Sequence, residues 1–550
     1  MRQPAGVSLE QAFALHRQGR LDAAEQAYRA LLRRNPRDAR VLHLMGLLAA
    51  QAGQIPRGIE LIQRSLEIDP RRFLAYRDLG NILLQAQDFA GALVNFDQAL
   101  ALKPHEPEIL DNRGTALRML DRLADALASH DMALALSPGR ALAHLNRGSA
   151  LAGLNRLAEA LESFDRAIAL DEAFALAHSN RGSALHRLEQ YPQALESHDR
   201  AVALAPGLAH AHIARGQTLA ELGRYDEALA SFTRALALDP QSAEAQFGRA
   251  TALLITGRFS EGWQAYETRI RRVGAEAFHA QGRPRWLGRE DIAGKTLFVE
   301  GEQGLGDMIQ FCRFARLPAD KGARVVLTAQ ASQVRLLQGL DPRMEVRPQD
   351  QPPAAFDYHV PLLSLPLAFG VPDNGFAAFT PYLKAEPERV ERWRRHIGND
   401  GLRIGICWQG GPGNPARSFP LAAVAPIASC PGVRLISLQK GPGSEQRATS
   451  PIPVESLGED YDAGPDAFLD AAAVMETMDM VISCDTSIAH LAGALARPVW
   501  VALKFAPDWR YMTERDDSPW YPTMRLFRQD RPGDWQNVFA KMAEALAKRK

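Results

Sequence analysis

The chain has 550 residues, with 64 Lys or Arg and 64 Asp or Glu, so its formal net charge at pH 7 is zero. This balance argues against nucleic-acid binding, which needs a cationic face to neutralise phosphates. Runs of 18 or more apolar residues are absent, so no membrane span is predicted, and residues 1–6 lead into a polar segment without the apolar core of a secretory signal. The four cysteines form no C-x-x-C pair, which favours reduced thiols and a cytoplasmic protein.

A 34-residue repeat fills the first half of the sequence, as the spacing of Gly46 and Gly80 illustrates. Prolines, glycines and small residues each recur with this period, and a larger ring follows the small residue by four positions. The glycines are Gly46, Gly80, Gly114, Gly148, Gly182 and Gly216, and the rings are Tyr28, Phe96, His130, Phe164, His198 and Phe232. Each unit is predicted to be a helix pair, helix A then helix B, whose ring fills the space between the two. One pair cannot bury its own apolar face, so neighbouring pairs must stack.

This order of residues resembles the tetratricopeptide repeat over residues 5–240, and a degenerate eighth unit extends to about residue 272. We therefore assign residues 1–274 to a tetratricopeptide superhelix. The Gly, Arg and Pro residues that follow indicate a linker to a different architecture.

Three asparagines share one phase of the repeat, two positions before the helix A glycine: Asn112, Asn146 and Asn180. They are predicted to form a column in the concave groove of the superhelix. Each side-chain amide offers one hydrogen-bond donor group and one acceptor group, so the column could bind the backbone of an extended peptide. A similar asparagine ladder occurs in eukaryotic O-GlcNAc transferase. One alternative is that these asparagines are merely solvated. Another is that the adjacent arginines bind an acidic acceptor: Arg113, Arg147 and Arg181.

The second half alternates strand-like and helix-like segments, which predicts an α/β architecture with parallel sheets. Strands are predicted at residues 295–300, 324–328, 402–408, 433–439, 480–484 and 499–503. The pattern restarts after a charged helix at 386–397, so we assign one lobe to residues 285–398 and a second to residues 399–550. Two doubly wound units create a cleft at the carboxyl ends of their strands.

Two glycine-rich loops follow predicted strands. Residues 300–307 contain Gly304, Gly306 and Asp307, and Asp307 is either a helix N-cap or a catalytic carboxylate. Residues 409–420 contain Gln409 and Arg417, and their flexible backbone with one cation suits phosphate recognition. Plain turn glycines are the alternative for this second loop.

Two further features follow the next strands. Lys440 would add a second cation at the cleft, or it is simply a solvated lysine. Residues 484–490 contain Asp485, Thr486, Ser487 and His490 at a helix start, whose free amides favour a diphosphate. The alternative there is a capped helix with a buried histidine.

Together the loops resemble a GT-B glycosyltransferase, and more narrowly the heptosyltransferase-like branch. Segments 507–511 and 518–529 resemble bacterial tetratricopeptide-linked glycosyltransferases, some of which glycosylate flagellins in the cytoplasm. The resemblance implies that Asp307 is the base, and Arg417 stands where the branch has a phosphate-binding lysine. The expected donor-binding residues are Gly304, Gly306, Gln409, Arg417, Lys440, Asp485, Thr486, Ser487 and His490. The first lobe is short for a GT-B lobe and leaves little structure for binding the acceptor. We therefore expect the repeat array to bind the acceptor.

The expected function is transfer of a sugar, with inversion, from a nucleotide-sugar to a serine or threonine of a protein, with flagellin as the candidate acceptor. No cofactor and no metal are expected, because the D-x-D of Asp460 and Asp462 is predicted to be a solvated turn. Two alternatives remain open. The chain is a non-catalytic scaffold with a degenerate transferase domain, or a heptosyltransferase-like enzyme that acts on a saccharide.

Overall fold

A computed structural model describes residues 7–273, 282–371, 376–411, 413–464 and 467–548. The chain divides into two compact units, residues 1–214 and 215–550. Stacked helix pairs make up the described part of the first unit, whereas the second unit contains the last helix pairs and two parallel sheets. The predicted order, a helical repeat array followed by an α/β region, is confirmed.

The repeat region consists of antiparallel helix pairs with short turns between them. Its helices are α1 (Leu9–Arg17), α2 (Leu21–Arg34), α3 (Ala39–Gln51), α4 (Ile55–Ile68), α5 (Phe73–Gln85), α6 (Phe89–Leu102), α7 (Pro107–Met119), α8 (Leu123–Leu136), α9 (Ala141–Gly153), α10 (Leu157–Leu170), α11 (Ala175–Arg187), α12 (Tyr191–Leu204), α13 (Ala209–Glu221), α14 (Tyr225–Leu238), α15 (Ala243–Ile255), α16 (Phe259–Tyr266) and α17 (Arg269–Val273).

The helix A glycine packs directly on the ring of helix B in several repeats. A Cβ atom on Gly148 would lie 2.5 Å from Cε1 of Phe164, and one on Gly114 would lie 2.5 Å from Cε1 of His130. Both rings are buried. Because only glycine lacks a Cβ, the conserved spacing within this sequence has a steric cause. The prediction that the ring fills the space between the paired helices is confirmed.

Two sheets form the α/β region, and every pairing between neighbouring strands is parallel. The first has the strand order β3-β2-β1-β4 and the second β6-β5-β7-β8-β9. Their strands are β1 (Thr296–Glu300), β2 (Arg324–Ala329), β3 (Met344–Pro348), β4 (Tyr358–Pro361), β5 (Leu402–Cys407), β6 (Val433–Ser437), β7 (Met480–Ser483), β8 (Val499–Leu503) and β9 (Met524–Arg528).

The helices of the α/β region connect these strands. They are α18 (Leu305–Phe311), α19 (Arg316–Asp320), α20 (Ala331–Gln338), α21 (Leu365–Ala368), α22 (Pro387–Ile397), α23 (Ala425–Ala428), α24 (Gln446–Thr449), α25 (Leu469–Thr477), α26 (Ser487–Ala494) and α27 (Trp535–Ala547). Short 3₁₀ turns lie at Cys312–Ala315, Leu362–Ser364, Phe376–Phe379, Pro415–Arg417, Leu421–Val424 and Trp509–Tyr511.

Three strands escaped prediction. The strands β3 and β9 lie at sheet edges, and charged residues such as Glu345 and Arg347 interrupt the apolar pattern of β3. The strand β4 has only four residues and ends in proline. Residues 305–320 form α18, a 3₁₀ turn and α19 rather than one continuous helix, and Pro318 lies within α19.

The last repeat helices pack against the sheets within the second unit. The ring of Trp263 in α16 meets the rings of Phe311, Trp509 and Trp520 at centroid distances of 6.0, 5.5 and 6.4 Å. Nη2 of Arg269 in α17 donates to Glu302 at 2.7 Å. The repeat pattern ends near residue 274, whereas the boundary between the two compact units lies between residues 214 and 215. The last repeat helices therefore belong to the same compact unit as the sheets.

Candidate functional site

A cleft of about 810 Å³ opens at the carboxyl ends of the strands of both sheets. The loops after β1, β5, β6, β7 and β8 all contribute to its walls. It brings together every residue of the α/β region for which a catalytic or donor-binding role was predicted: Gly304, Gly306, Asp307, Gln409, Arg417, Lys440, Asp485, Thr486, Ser487 and His490. Residues from four separate segments therefore share one site.

Asp307 lies in the first turn of α18 but is not its N-cap. Gly304 is the N-cap, and Asp307 stands three residues later. Oδ2 of Asp307 accepts from the backbone N–H of Gly304 at 2.9 Å, and Oδ1 accepts from Nη2 of Arg510. The N-cap alternative is thus wrong in position, because the carboxylate reaches back to the cap rather than forming it.

Arg510 is the main residue of the cleft that sequence reasoning missed. Its guanidinium is buried and donates to Asp307, to Oδ1 of Asp508 at 2.7 Å and to Oε1 of Gln310 at 3.0 Å. Two carboxylates raise the pKa of Arg510 further above its ordinary value despite burial, so the guanidinium stays charged. The signal in the sequence is the family resemblance of segment 507–511, which contains Arg510 but assigns it no role.

His490 of α26 lies against Gly306 of α18. A Cβ on Gly306 would lie 3.0 Å from Cδ2 of His490. Nδ1 of His490 pairs with the hydroxyl of Tyr521 at 3.1 Å, and burial lowers the pKa of His490 to about 3. The imidazole is therefore neutral and forms part of the cleft wall, in agreement with the buried-histidine alternative.

Asp485 ends the loop after β7, and Thr486 is the N-cap of α26. Burial, with the nearby Asp508 carboxylate as second cause, raises the pKa of Asp485 to about 6. The hydroxyl of Tyr511 donates to Oδ1 of Asp485 at 2.9 Å. The hydroxyl of Thr486 lies 2.9 Å from that of Ser483, so it points away from the first-turn amides of α26.

The two predicted cations of the cleft differ in their surroundings. The guanidinium of Arg417 lies against Gly410, whose added Cβ would be 2.6 Å from Nε, and this buried Nε has no hydrogen-bond partner among the described residues. Lys440 is exposed, and its Nζ donates to the backbone carbonyl of Tyr461 at 2.7 Å. Arg417 therefore keeps bonding capacity for an anion, while Lys440 is partly occupied.

Gln439, rather than Gln409, organises the loop after β5. Its Oε1 accepts from the backbone N–H groups of Trp408 and Gln409 at 3.1 and 2.9 Å, and its Nε2 donates to Pro442 O at 2.8 Å. The side chain of Gln409 accepts from Gln446 at 3.0 Å. The buried side-chain amide of Gln439 therefore bonds both to the loop after β5 and to the loop after β6, and it fixes the position of one loop relative to the other.

The D-x-D segment is not simply a solvated turn. Asp460 is exposed, but Oδ1 of Asp462 accepts from the backbone N–H groups of Asp470 and Ala471 at 3.1 Å each, at the start of α25. Burial raises the pKa of Asp462 to about 6. The solvated-turn prediction is wrong for Asp462, which lines the cleft. Among the described residues, His, Cys, Asp and Glu form no cluster of three that could hold a metal ion.

Comparison with known proteins identifies the helix pairs. The tetratricopeptide repeat family matches residues 9–72, 77–141 and 213–274, with further repeat matches at 148–189 and 174–241. The first half of the chain is a tetratricopeptide array.

Two curated relatives and one solved structure are similar to parts of the chain. Protein FlbA of Caulobacter vibrioides is 30% identical over 319 residues, which is 52% of this chain and 52% of FlbA. The Hsp70-Hsp90 organizing protein of Triticum aestivum is 34% identical over 102 residues, or 18% of each. The chain therefore spans about half or less of these relatives. YrrB, a tetratricopeptide protein with an unusual peptide-binding site, is 25% identical at a TM-score of 0.31, covering 34% of this chain and 96% of YrrB.

The asparagine column of the tetratricopeptide array forms contacts between successive repeats. Each Nδ2 donates to a side chain of the preceding helix A: Asn112 to Asn81 at 2.8 Å, Asn146 to Asp111 at 3.2 Å and Asn180 to Ser149 at 3.3 Å. All three asparagines are half-buried rather than fully solvated.

The adjacent arginines are already neutralised within the array. The guanidinium groups pair at 2.6 Å with carboxylates of the preceding helix B: Arg113 with Asp97, Arg147 with Asp131 and Arg181 with Asp165. Each also donates to a serine of the following helix. This pairing weakens the alternative that the arginines bind an acidic acceptor.

In the described part of the chain, no helix is both long and apolar enough to cross a membrane.

Proposed function

We propose that the chain is a GT-B-type glycosyltransferase. It transfers a sugar from a nucleotide-sugar to a serine or threonine of a protein held by the tetratricopeptide array, with inversion and without a metal. The observation that carries the proposal is the cleft, which gathers ten residues chosen from four sequence segments at the carboxyl ends of two parallel sheets. Such edges are where ligands bind in doubly wound folds.

The size and charge of the cleft suit a nucleotide-sugar. Its volume of about 810 Å³ falls in the range of sites that enclose ligands of this size. The start of α26 borders it through Ser487 and Ile488, whose backbone N–H groups precede the first intrahelical hydrogen bond. Arg417 adds a cation with an unfilled donor. These groups support binding of the donor diphosphate.

The same groups would stabilise the transition state. As the bond between the anomeric carbon and the phosphate oxygen breaks, negative charge grows on the leaving diphosphate. Arg417, Lys440 and the start of α26 are placed around that charge in our proposal, where fixed donors act without reorganisation. The acceptor oxygen attacks from the opposite face, which inverts the anomeric carbon.

Asp307 contributes a carboxylate to the cleft in this proposal. It forms an ion pair with Arg510 and so holds the guanidinium in place. We expect Asp307→Asn to impair transfer while Gly304 retains an acceptor for its N–H group. The amide oxygen of asparagine supplies that acceptor.

The acceptor is proposed to be a protein because of the array in the first half of the chain. The resemblance of segments 507–511 and 518–529 to tetratricopeptide-linked transferases supports a flagellin as one candidate. The asparagine column, whose amides are half-buried, is proposed to hold an extended part of the acceptor backbone.

The proposal is tested by nucleotide binding and transfer with the full-length chain. Calorimetry with a panel of nucleoside diphosphates and monophosphates should show binding, and Arg417→Ala should weaken it by about 10- to 100-fold, the loss of one charge-assisted hydrogen bond. Arg447→Ala is the matched control, because Arg447 is exposed on α24 and does not line the cleft. A panel of labelled nucleotide-sugars then identifies the donor. Wild-type protein that binds none of these nucleotides would overturn the proposal.

A further inference from the structure

A second cavity of about 230 Å³ lies beside the cleft, entirely within the unit of residues 215–550. One wall comes from the last tetratricopeptide helices, including Tyr225 of α14 and Thr251 of α15. The other comes from the segment after β8, including Ala506 and Trp509. The cavity therefore joins the repeat array to the second lobe.

The two cavities share three lining residues, Arg417, Asp485 and Asp508. A molecule that fills the second cavity consequently meets the cleft at this group of side chains. Asp307 lines the cleft but not the second cavity. The second cavity therefore gives access to Asp485 but not to Asp307.

The three carboxylates near this junction differ in the hydrogen bonds that they already accept. Asp307 accepts from Arg510 with one oxygen and from the N–H of Gly304 with the other. Oδ1 of Asp508 accepts twice from Arg510, from its backbone N–H and from Nη1. Asp485 accepts through Oδ1 from Tyr511, and the described residues offer its Oδ2 no donor. Oδ2 of Asp485 and Oδ2 of Asp508 are both open to a hydroxyl group, but Asp485 is the one carboxylate of the three that is not ion-paired with Arg510.

We propose, on the basis of the proposed function, that the acceptor serine or threonine enters through the second cavity and gives its hydroxyl proton to Asp485. The hydroxyl oxygen forms a bond to the anomeric carbon of the sugar. The bond from that carbon to the phosphate oxygen breaks, and its electron pair leaves with the nucleoside diphosphate. The proton moves to Oδ2 of Asp485 and then to solvent. In this scheme Asp307 is a positioning residue that holds Arg510.

The cavity lining defines the chemical class of the acceptor segment. Small residues such as Ala220, Ala252 and Ala506 leave room, and Trp509 supplies an apolar surface. The charged pair on its wall is already satisfied, since Nζ of Lys504 lies 3.4 Å from Glu221. A volume of about 230 Å³ admits a short piece of chain rather than a folded surface. The fitting substrate is a serine or threonine flanked by small, uncharged residues.

The charged surroundings of Asp485 predict how the reaction depends on pH. Burial and the carboxylate of Asp508 raise the pKa of Asp485 to about 6. The hydrogen bond from Tyr511 and the charges of Arg417 and Arg510 act in the opposite direction but are smaller effects. Below this pH the carboxyl group is protonated and cannot accept a proton, so transfer should fall on the acid side. The groups that face Asp485 are Asp508, Tyr511, Arg417, Arg510 and Cys484.

The deciding experiment compares pH profiles of transfer for full-length wild type, Asp485→Asn and Asp307→Asn, with donor affinity measured separately by calorimetry. We expect Asp485→Asn to lower turnover by about 10²- to 10⁴-fold and to remove the acid limb, as loss of a general base does. Asparagine can still accept from Tyr511, so the fold should persist. Asp307→Asn should lower turnover but keep the acid limb.

A cavity-filling pair tests the entry route. Thr251→Tyr should raise the KM for the acceptor protein at least tenfold and leave the donor dissociation constant within about twofold. Ser260→Tyr, an exposed position on α16 outside the cavity, is the matched control and should leave the KM unchanged.

Three outcomes would overturn the inference. In the first, the acid limb disappears in Asp307→Asn but not in Asp485→Asn, which makes Asp307 the base. In the second, Asp485→Asn raises only the donor dissociation constant. In the third, Thr251→Tyr leaves the acceptor KM unchanged. A wild-type chain that binds no nucleotide-sugar would overturn the proposed function itself, which separates the two failures.

Discussion

Arg510 pairs with Asp307 across 203 residues of sequence and joins the two lobes at the edge of the cleft. The guanidinium is 9% exposed and the carboxylate 19%. Removing one member of such a pair leaves the other charge poorly solvated, which is more costly than losing an exposed ion pair. The same ion pair therefore contributes to the stability of the fold and fixes the positions of two side chains that line the cleft.

We predict that Arg510→Lys folds but loses transfer activity. Lysine keeps the positive charge, but its point-like ammonium cannot reach Asp307, Asp508 and Gln310 together. Turnover should fall at least tenfold with a small change in Tm, whereas Arg510→Met should lower both. Turnover measurements and thermal melts check this. Wild-type turnover in Arg510→Lys would show that charge alone suffices.

A second prediction concerns His490 and stability at acid pH. Burial, with the cations Arg510, Arg313 and Arg417, lowers its pKa to about 3, while an unfolded histidine titrates near 6.5. Between these values the unfolded state binds a proton that the folded state does not. The stabilising contribution is therefore complete above pH 6.5 and declines as the pH falls towards about 3.

Urea unfolding at several pH values measures this contribution. Wild type should lose more unfolding free energy than His490→Gln between about pH 7 and 4.5. Asp485 and Asp462, whose pKa values are raised to about 6, act in the opposite direction but are present in both proteins. Parallel pH profiles for the two proteins would contradict the prediction.

The repeat packing gives a third prediction. Gly148→Ala should destabilise the chain by about 1–3 kcal/mol, because its Cβ would lie 2.5 Å from Phe164. Adding Phe164→Leu should recover part of the loss, which a double-mutant cycle measures as coupling. Gly139→Ala is the control, since a Cβ there meets nothing within 4 Å. Strictly additive effects would contradict a direct contact.

A fourth prediction tests the asparagine column. Replacing Asn112, Asn146 and Asn180 together with alanine should raise the acceptor KM by tens-fold, at about 0.5–1.5 kcal/mol per hydrogen bond. Donor affinity should not change. Asn95→Ala is a control in helix B, where the amide donates to Gly91 O. Salt should have little effect, because the neighbouring arginines are paired internally. An unchanged KM would remove the column from acceptor binding.

Local patterns predicted most of the fold and the contents of the cleft. The repeat was visible because one steric contact, such as Gly148 on Phe164, recurs every period. Asp307, Arg417 and Asp485 converge because each follows a buried parallel strand, and such strand ends meet at one edge. Information of this kind is present in short segments.

Contacts between distant segments could not be read from the sequence. Arg510 has no pattern of its own that names Asp307 as its partner, since their meeting depends on how the lobes pack. Asp462 looked solvated because the helix whose N–H groups donate to it begins seven residues later in the sequence. The edge strand β3 carries Glu345 and Arg347, so its pattern lacks a buried strand's apolar run.

The packing of Trp263 limits where the protein can be cut for engineering. A fragment that starts where the repeat pattern stops, near residue 274, would strip Trp263 from Phe311, Trp509 and Trp520 and leave three large rings in water. Exposed aromatic surface of that kind promotes aggregation. A fragment that begins before α13 keeps these rings covered and keeps both walls of the second cavity. The place to truncate the chain is therefore set by the aromatic contacts of Trp263 and not by the end of the repeat pattern.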